Sequence, residues 1–210
     1  MQFKAKLFSL LVIIPLTIAL LCFNHCNTEK NKNEKAKNSY QEVRKINVKI
    51  NFSQTFEIRQ IKKGLTQSDI FIKGIGFSNR RNAIALKNKK PIKEIFVSDI
   101  NADGYEELYI IIESGKKHPI SEIIGITIQE NDSYKLIYIP EFDKNTSFEF
   151  NYLKNYNGYD SIYIENQQLF RTFPSYNSVK KEYDTHNMVK LNYKLINMNN
   201  SFSLQAVVIN

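Results

Sequence analysis

Tryptophan is absent from this chain, and cysteine occurs only at Cys22 and Cys26. Everything after them is therefore without a disulfide, a thiol nucleophile or a cysteine-based zinc site, so stability must come from an apolar core and any bound ion. Histidine is nearly as scarce. Beyond His25 there are only His118 and His186, neither in an HExxH nor a GxSxG setting, so no zinc-protease helix or serine-hydrolase elbow is encoded. No amphipathic stretch sustains a helical period, which argues against a bundle. No segment repeats at a fixed period, which argues against a propeller or solenoid. There is also no Lys/Arg run long enough to track a phosphate backbone. Residues 1–40 hold six lysines and two glutamates, and the rest of the chain carries 23 basic and 19 acidic groups. The formal charge of +8 is thus a mixed, solvated surface, and nucleic acid is excluded as a partner.

The apolar fraction of 42% is sufficient for a folded core. Twelve tyrosines and 14 phenylalanines favour strands over helices. From about Val48 onward, short alternating runs such as TFEIRQI, DIFIKGI, ELYIIIES, IIGITIQ, QLFRTFP, VKLNYKLI and FSLQAVVI are separated by turn signals such as ENDS, NYNG, ENQQ and NMNN. Strands at this regular spacing predict an all-β domain over residues 46–210, an antiparallel β-sandwich or flattened β-barrel.

The first segment has the form of an export signal. Lys4 and Lys6 precede the apolar run Leu7–Phe23, and no small-x-small cleavage site comes after it. Cys22 lies at the end of that run, and Cys26 leads into the polar stretch TEKNKNEKAKN, a tether that cannot bury anything. A cysteine closing a short apolar run ahead of a hydrophilic spacer resembles a bacterial lipoprotein. Residues 1–26 are then the leader, with Cys26 as the lipidated residue and Cys22 as the other option, and 27–45 the tether. An uncleaved membrane anchor is the competing reading. Either places the protein in the cell envelope, periplasmic or on the surface.

One stretch carries chemistry: VSDINADGYEELYIII, from Val97 to Ile112. Asp99, Asn101 and Asp103 alternate, Gly104 permits a sharp turn, and Glu107 lies three residues further on. This is the first half of an EF-hand loop, but Ile110 stands where the bidentate glutamate belongs, and the next element is a strand instead of a helix. The spacing suits a strand–turn–strand loop that holds calcium through Asp99, Asn101, Asp103, the Tyr105 carbonyl and Glu107. The other reading is a tight turn whose acids cap backbone N–H groups, with Lys93 or Arg80 as counter-charge.

The same stretch, with IYIPEF, YNGYDSIYIENQQLFRTFPSYN and LNYKL further on, resembles the periplasmic inhibitors of invertebrate-type lysozyme over roughly residues 92–208. The ordered set of Asp-rich turn, Arg171-Thr172-Phe173-Pro174-Ser175-Tyr176 and Tyr193-Lys194-Leu195 carries the likeness. The resemblance implies an all-β protein that blocks a lysozyme cleft with the loop after ELYIII. Here that loop is ESGKKHPISEIIG, with Lys117 and Ile120 where the family has its Ser and Tyr. Ser114, Gly115, Lys116, Lys117, His118 and Ser121 become the expected contact residues. The basic tip would complement the two carboxylates of a lysozyme cleft. The partner is then a lysozyme, of invertebrate or another class, or else a different extracellular protein met by a calcium-stabilised surface module.

Catalysis is not expected. Ser114 and Ser121 near His118 lack a third group and oxyanion donors. Glu106 and Glu107, adjacent on a strand, face opposite sides.

Overall fold

The computed structural model describes residues 41–78, 83–114, 117–129, 133–140, 153, 155–199 and 201–209, the side chains of 41–43 and 114 excepted. The strands all lie within the unit Tyr40–Asn210. They are β1 (Gln41–Lys49), β2 (Thr55–Lys63), β3 (Gln67–Ile75), β4 (Ile84–Lys89), β5 (Ile92–Ser98), β6 (Glu107–Ser114), β7 (Ile120–Gln129), β8 (Ser133–Ile137), β9 (Ser161–Glu165), β10 (Gln168–Asn177), β11 (Glu182–Met198) and β12 (Ser201–Ile209). Every strand expected from alternation is present. β1 is an addition, and it begins inside the stretch read as tether. Its alternation of Val43, Ile46 and Val48 with charged residues is broken by a bulge between Glu42 and Arg44, which hides the period.

The described residues are all-β, with three four-stranded antiparallel sheets ordered β1-β2-β3-β4, β5-β6-β7-β8 and β12-β11-β10-β9. Neighbours in sequence are neighbours in each sheet, joined by hairpins. The middle sheet explains why ELYIII reads as an unbroken apolar run. Leu108, Ile110 and Ile112 share a core cluster with Phe56, Ile58, Ile70 and Ile72 of the first sheet. Tyr109 and Ile111, on the opposite face, join Ile162, Leu169, Tyr193 and Leu204 of the last sheet. A strand covered on both faces has no side to give to polar residues, so alternation disappears. Each isoleucine so buried contributes roughly 1.5–3 kcal/mol relative to exposure.

The middle and last sheets are also linked through the main chain. Tyr138 forms a parallel bridge with Ser203, its N–H donating to Phe202 O at 2.7 Å and its carbonyl accepting from Leu204 N at 2.9 Å. A third cluster, Leu153, Tyr156, Phe173 and Leu191, packs with Ile120 at the start of β7. Ile120 follows directly on the β6–β7 connection, the loop expected to make contact.

Candidate functional site

The Asp-rich turn joins β5 to β6, and its backbone is wrapped around its own carboxylates. Asp99 accepts from Asp103 N (3.1 Å) and Gly104 N (2.9 Å), and Asp103 accepts from Tyr105 N (2.8 Å). Asn101 Oδ1 accepts weakly from Asp103 N at 3.4 Å, while its amide nitrogen donates to Asp103 Oδ2 at 2.8 Å. Ala102 (φ 56°) and Gly104 (φ 88°) are both left-handed, and the glycine adopts that conformation without steric cost. Glu107 Oε2 accepts from Ile100 N at 3.0 Å, closing the turn from the strand side.

The capping thus predicted is present, and it leaves carboxylate oxygens pointing at one another. Ligand atoms of Asp99, Asp103 and Glu107 lie within 4.8 Å of each other, a set that could coordinate a metal ion. Glu107 is fully buried, and its Oε1 has no hydrogen-bond partner among the described residues. Burial, reinforced by the charges of Asp103 and Asp99, pushes its carboxyl up to about 8. Two positions along the same strand face, the Tyr109 hydroxyl is likewise buried, and burial, followed by the neighbouring Glu107 carboxylate, raises this phenol too. Of the expected counter-charges, Lys93 does not serve: it pairs with Glu113. Arg80 lies outside the described residues. Tyr105 reaches the turn through its N–H, and its ring packs against the first core cluster.

At the contact loop, Gly115, Lys116 and the side chain of Ser114 lie outside the described residues. Lys117 and His118 are exposed, yet their main chain is held. Tyr159 donates its hydroxyl to Lys117 O at 2.6 Å and its N–H to Pro119 O at 2.7 Å. Tyr159 is itself left-handed (φ 60°), an unfavourable state for an aromatic residue that persists where its surroundings enforce it. The preceding Gly158 (φ 86°) lets the two segments meet. A Cβ there would come to 3.0 Å from Pro119 O and 3.1 Å from His118 O.

The His118 ring sits in an aromatic group, 5.6 Å from Tyr159 and 5.9 Å from Tyr183 between centroids, with Tyr176 a further 4.9 Å from Tyr183. Tyr183 gives its hydroxyl hydrogen to Asn157 O (2.9 Å) and accepts from Asn157 Nδ2 (2.7 Å). The same hydroxyl oxygen lies 2.6 Å from His118 Nδ1, a hydrogen bond whose direction follows the imidazole tautomer.

Ser121 was expected on the contact surface; it is 2% exposed and lies under the loop instead. Its N–H donates to both oxygens of Asp160 (3.1 and 3.2 Å), and its carbonyl accepts from Arg171 Nη2 (2.9 Å). Arg171 Nη1 faces Asp160 at 3.4 Å, and Tyr156 donates to Asp160 Oδ1 at 3.2 Å. Desolvation is the largest influence on the Asp160 carboxyl and raises it, with Arg171 opposing. The clamp residues Asp160 and Arg171 were visible in the sequence only inside YNGYD and RTFPSY. Tyr183, at the start of the long β11, carried no signal at all. Comparison with known proteins finds no match: no family model, no curated protein and no solved structure. The functional reading therefore rests on the geometry of the site itself.

Proposed function

We propose that this protein is a non-catalytic binding protein of the bacterial envelope, resembling the inhibitors of invertebrate-type lysozyme, that meets a lysozyme through the Lys117–His118 tip. One observation carries the reading: an exposed basic tip whose main chain is tied to Tyr159 and whose imidazole is tied to Tyr183. A loop already ordered loses little entropy on docking. Lysine supplies a positive charge for an ionised cleft carboxylate, and the exposed imidazole of His118 adds a hydrogen-bonding group beside it. Tyr159 supplies, from another segment, the tyrosine that the loop itself does not have.

The architecture is read as a β-sandwich built on the middle sheet, carried on a tether from a cysteine lipidated at Cys26. Both cysteines and most of the tether lie outside the described residues. The test is an inhibition assay on invertebrate-, chicken- and goose-type lysozymes at low and high salt. Inhibition of one class that weakens with salt supports the proposal, and no inhibition of any class at low ionic strength ends it.

A second reading is favoured by the unpartnered Glu107 oxygen. It is a calcium-stabilised surface lipoprotein that binds a different envelope or host protein. Asp99, Asp103 and Glu107 fit a hard cation, which takes oxygen ligands in flexible geometry. The ion would tie the β5–β6 turn to the buried face of β6. Calorimetric titration of a chelator-stripped sample with calcium distinguishes this from the capped turn alone.

A further inference from the structure

Beside the loop tip, the β10–β11 ladder opens. Pro174 pairs with Met188, but the next residue, Ser175, pairs with Asp184, so Thr185, His186 and Asn187 leave the ladder. An insertion of this kind bends the strand and re-aims its side chains, and is frequent next to binding sites. Next to it is an open cavity of about 480 Å³, lined by residues of this opening and by Asn155. That volume falls in the range of roughly 300–1,000 Å³ typical of small-molecule sites.

We propose that this groove binds a neutral saccharide. Its lining contains no aliphatic side chain and is built of amides, hydroxyls and tyrosines, with a few charged groups. The amide side chains of Asn155 and Asn187 and the Tyr176 hydroxyl have no hydrogen-bond partner among the described residues. An asparagine presents donor and acceptor in one plane, and a sugar hydroxyl can use both. Asn177 spends its oxygen on Val179 N and Lys180 N, both at 3.0 Å, which leaves its NH₂ to donate. Asp184 Oδ1 caps His186 N at 3.0 Å, so its second oxygen remains an acceptor. Tyr176 and Tyr183 add ring surface for the apolar face of a pyranose.

The charges select against other ligands. Lys180 is matched by Glu182 at 3.6 Å, and Asp184 adds negative charge, so phosphates, nucleic acids and acidic peptides are disfavoured. The lack of aliphatic surface disfavours lipids. The inference does not depend on the partner of the loop, although Tyr183, which holds His118, is shared by both places.

The experiment is calorimetric titration of the full chain in detergent micelles with chitotetraose and with cellotetraose, and with a sulfated oligosaccharide as the charged counterpart. The expected result is saturable binding of at least one neutral sugar, with a dissociation constant between about 10 μM and 1 mM. Asn155→Ala and Asn187→Ala should each weaken it about tenfold or more without lowering the melting temperature, since both side chains are exposed. If either variant does lower it, Tyr176→Phe, which removes only one hydroxyl, replaces it in the same comparison. No saturable binding of either neutral sugar, affinity unchanged by these substitutions, or preference for the sulfated probe would each overturn the proposal.

Discussion

Glu107 is a carboxylate held where burial opposes its charge. It is fully buried, holds the Ile100 N–H through Oε2, and has the buried Tyr109 hydroxyl as its neighbour on the same strand face. Its carboxyl rises from 4.5 to about 8 because burial disfavours the charge. With no cation bound, the folded state keeps a proton that the unfolded chain has already lost. Stability then falls as pH rises from about 4.5 to about 8, and is level above that window. The slope approaches about 1.4 kcal/mol per pH unit within it. Melting curves of a chelator-stripped sample across this range should show the decline, and Glu107→Gln should abolish it. Calcium, if bound by the native state alone, should raise the melting temperature at pH 8 in proportion to the logarithm of its concentration. Asp99→Ala and Asp103→Ala should remove that rise. Asp103→Ala should also cost about 1 kcal/mol with no metal present, because Tyr105 N loses its acceptor.

Among the elements, the β6–β7 hairpin depends on a partner far away in sequence. Its base at Ser121 is clamped by Asp160 and Arg171, both almost wholly buried. Removing one member of such a pair strands the other charge, so Asp160→Ala should destabilise the fold by roughly 3–5 kcal/mol, measurable by urea denaturation. The tip behaves oppositely. Lys117→Ala with His118→Ala removes two exposed side chains and the His118–Tyr183 hydrogen bond; it should cost no more than about 1 kcal/mol of stability while abolishing lysozyme inhibition. A double variant that inhibits as strongly as the parent would remove the tip from the interface. The strand runs from Thr55 to Ile209 could be read from alternation and turn residues, because hairpin-linked antiparallel strands announce themselves locally. β1 could not, since a bulge disrupts its period.

The molecule as a whole adds one more test, of its attachment. If Cys26 or Cys22 carries lipid, two acyl chains give stable anchoring, and Cys22→Ser with Cys26→Ser should release the protein into the soluble envelope fraction. Unchanged membrane partition in fractionation would favour an uncleaved anchor.

The all-β character, the antiparallel hairpins and the Asp-rich turn arise from composition and short-range spacing. Alternation, glycine at a left-handed position and acids two residues apart act over a few peptide units. The grouping into three sheets is another matter. The unbroken run at Leu108–Ile112 says only that both faces are covered, and the covering residues, Phe56 to Ile72 on one side and Ile162 to Leu204 on the other, are brought there by folding. The same holds for the site. Lys117 and His118 are neighbours in the chain, but Tyr159, Asp160, Arg171 and Tyr183, which seat them, arrive from three further segments. Their contacts depend on how sheets pack, and packing couples residues through space without a trace in local sequence.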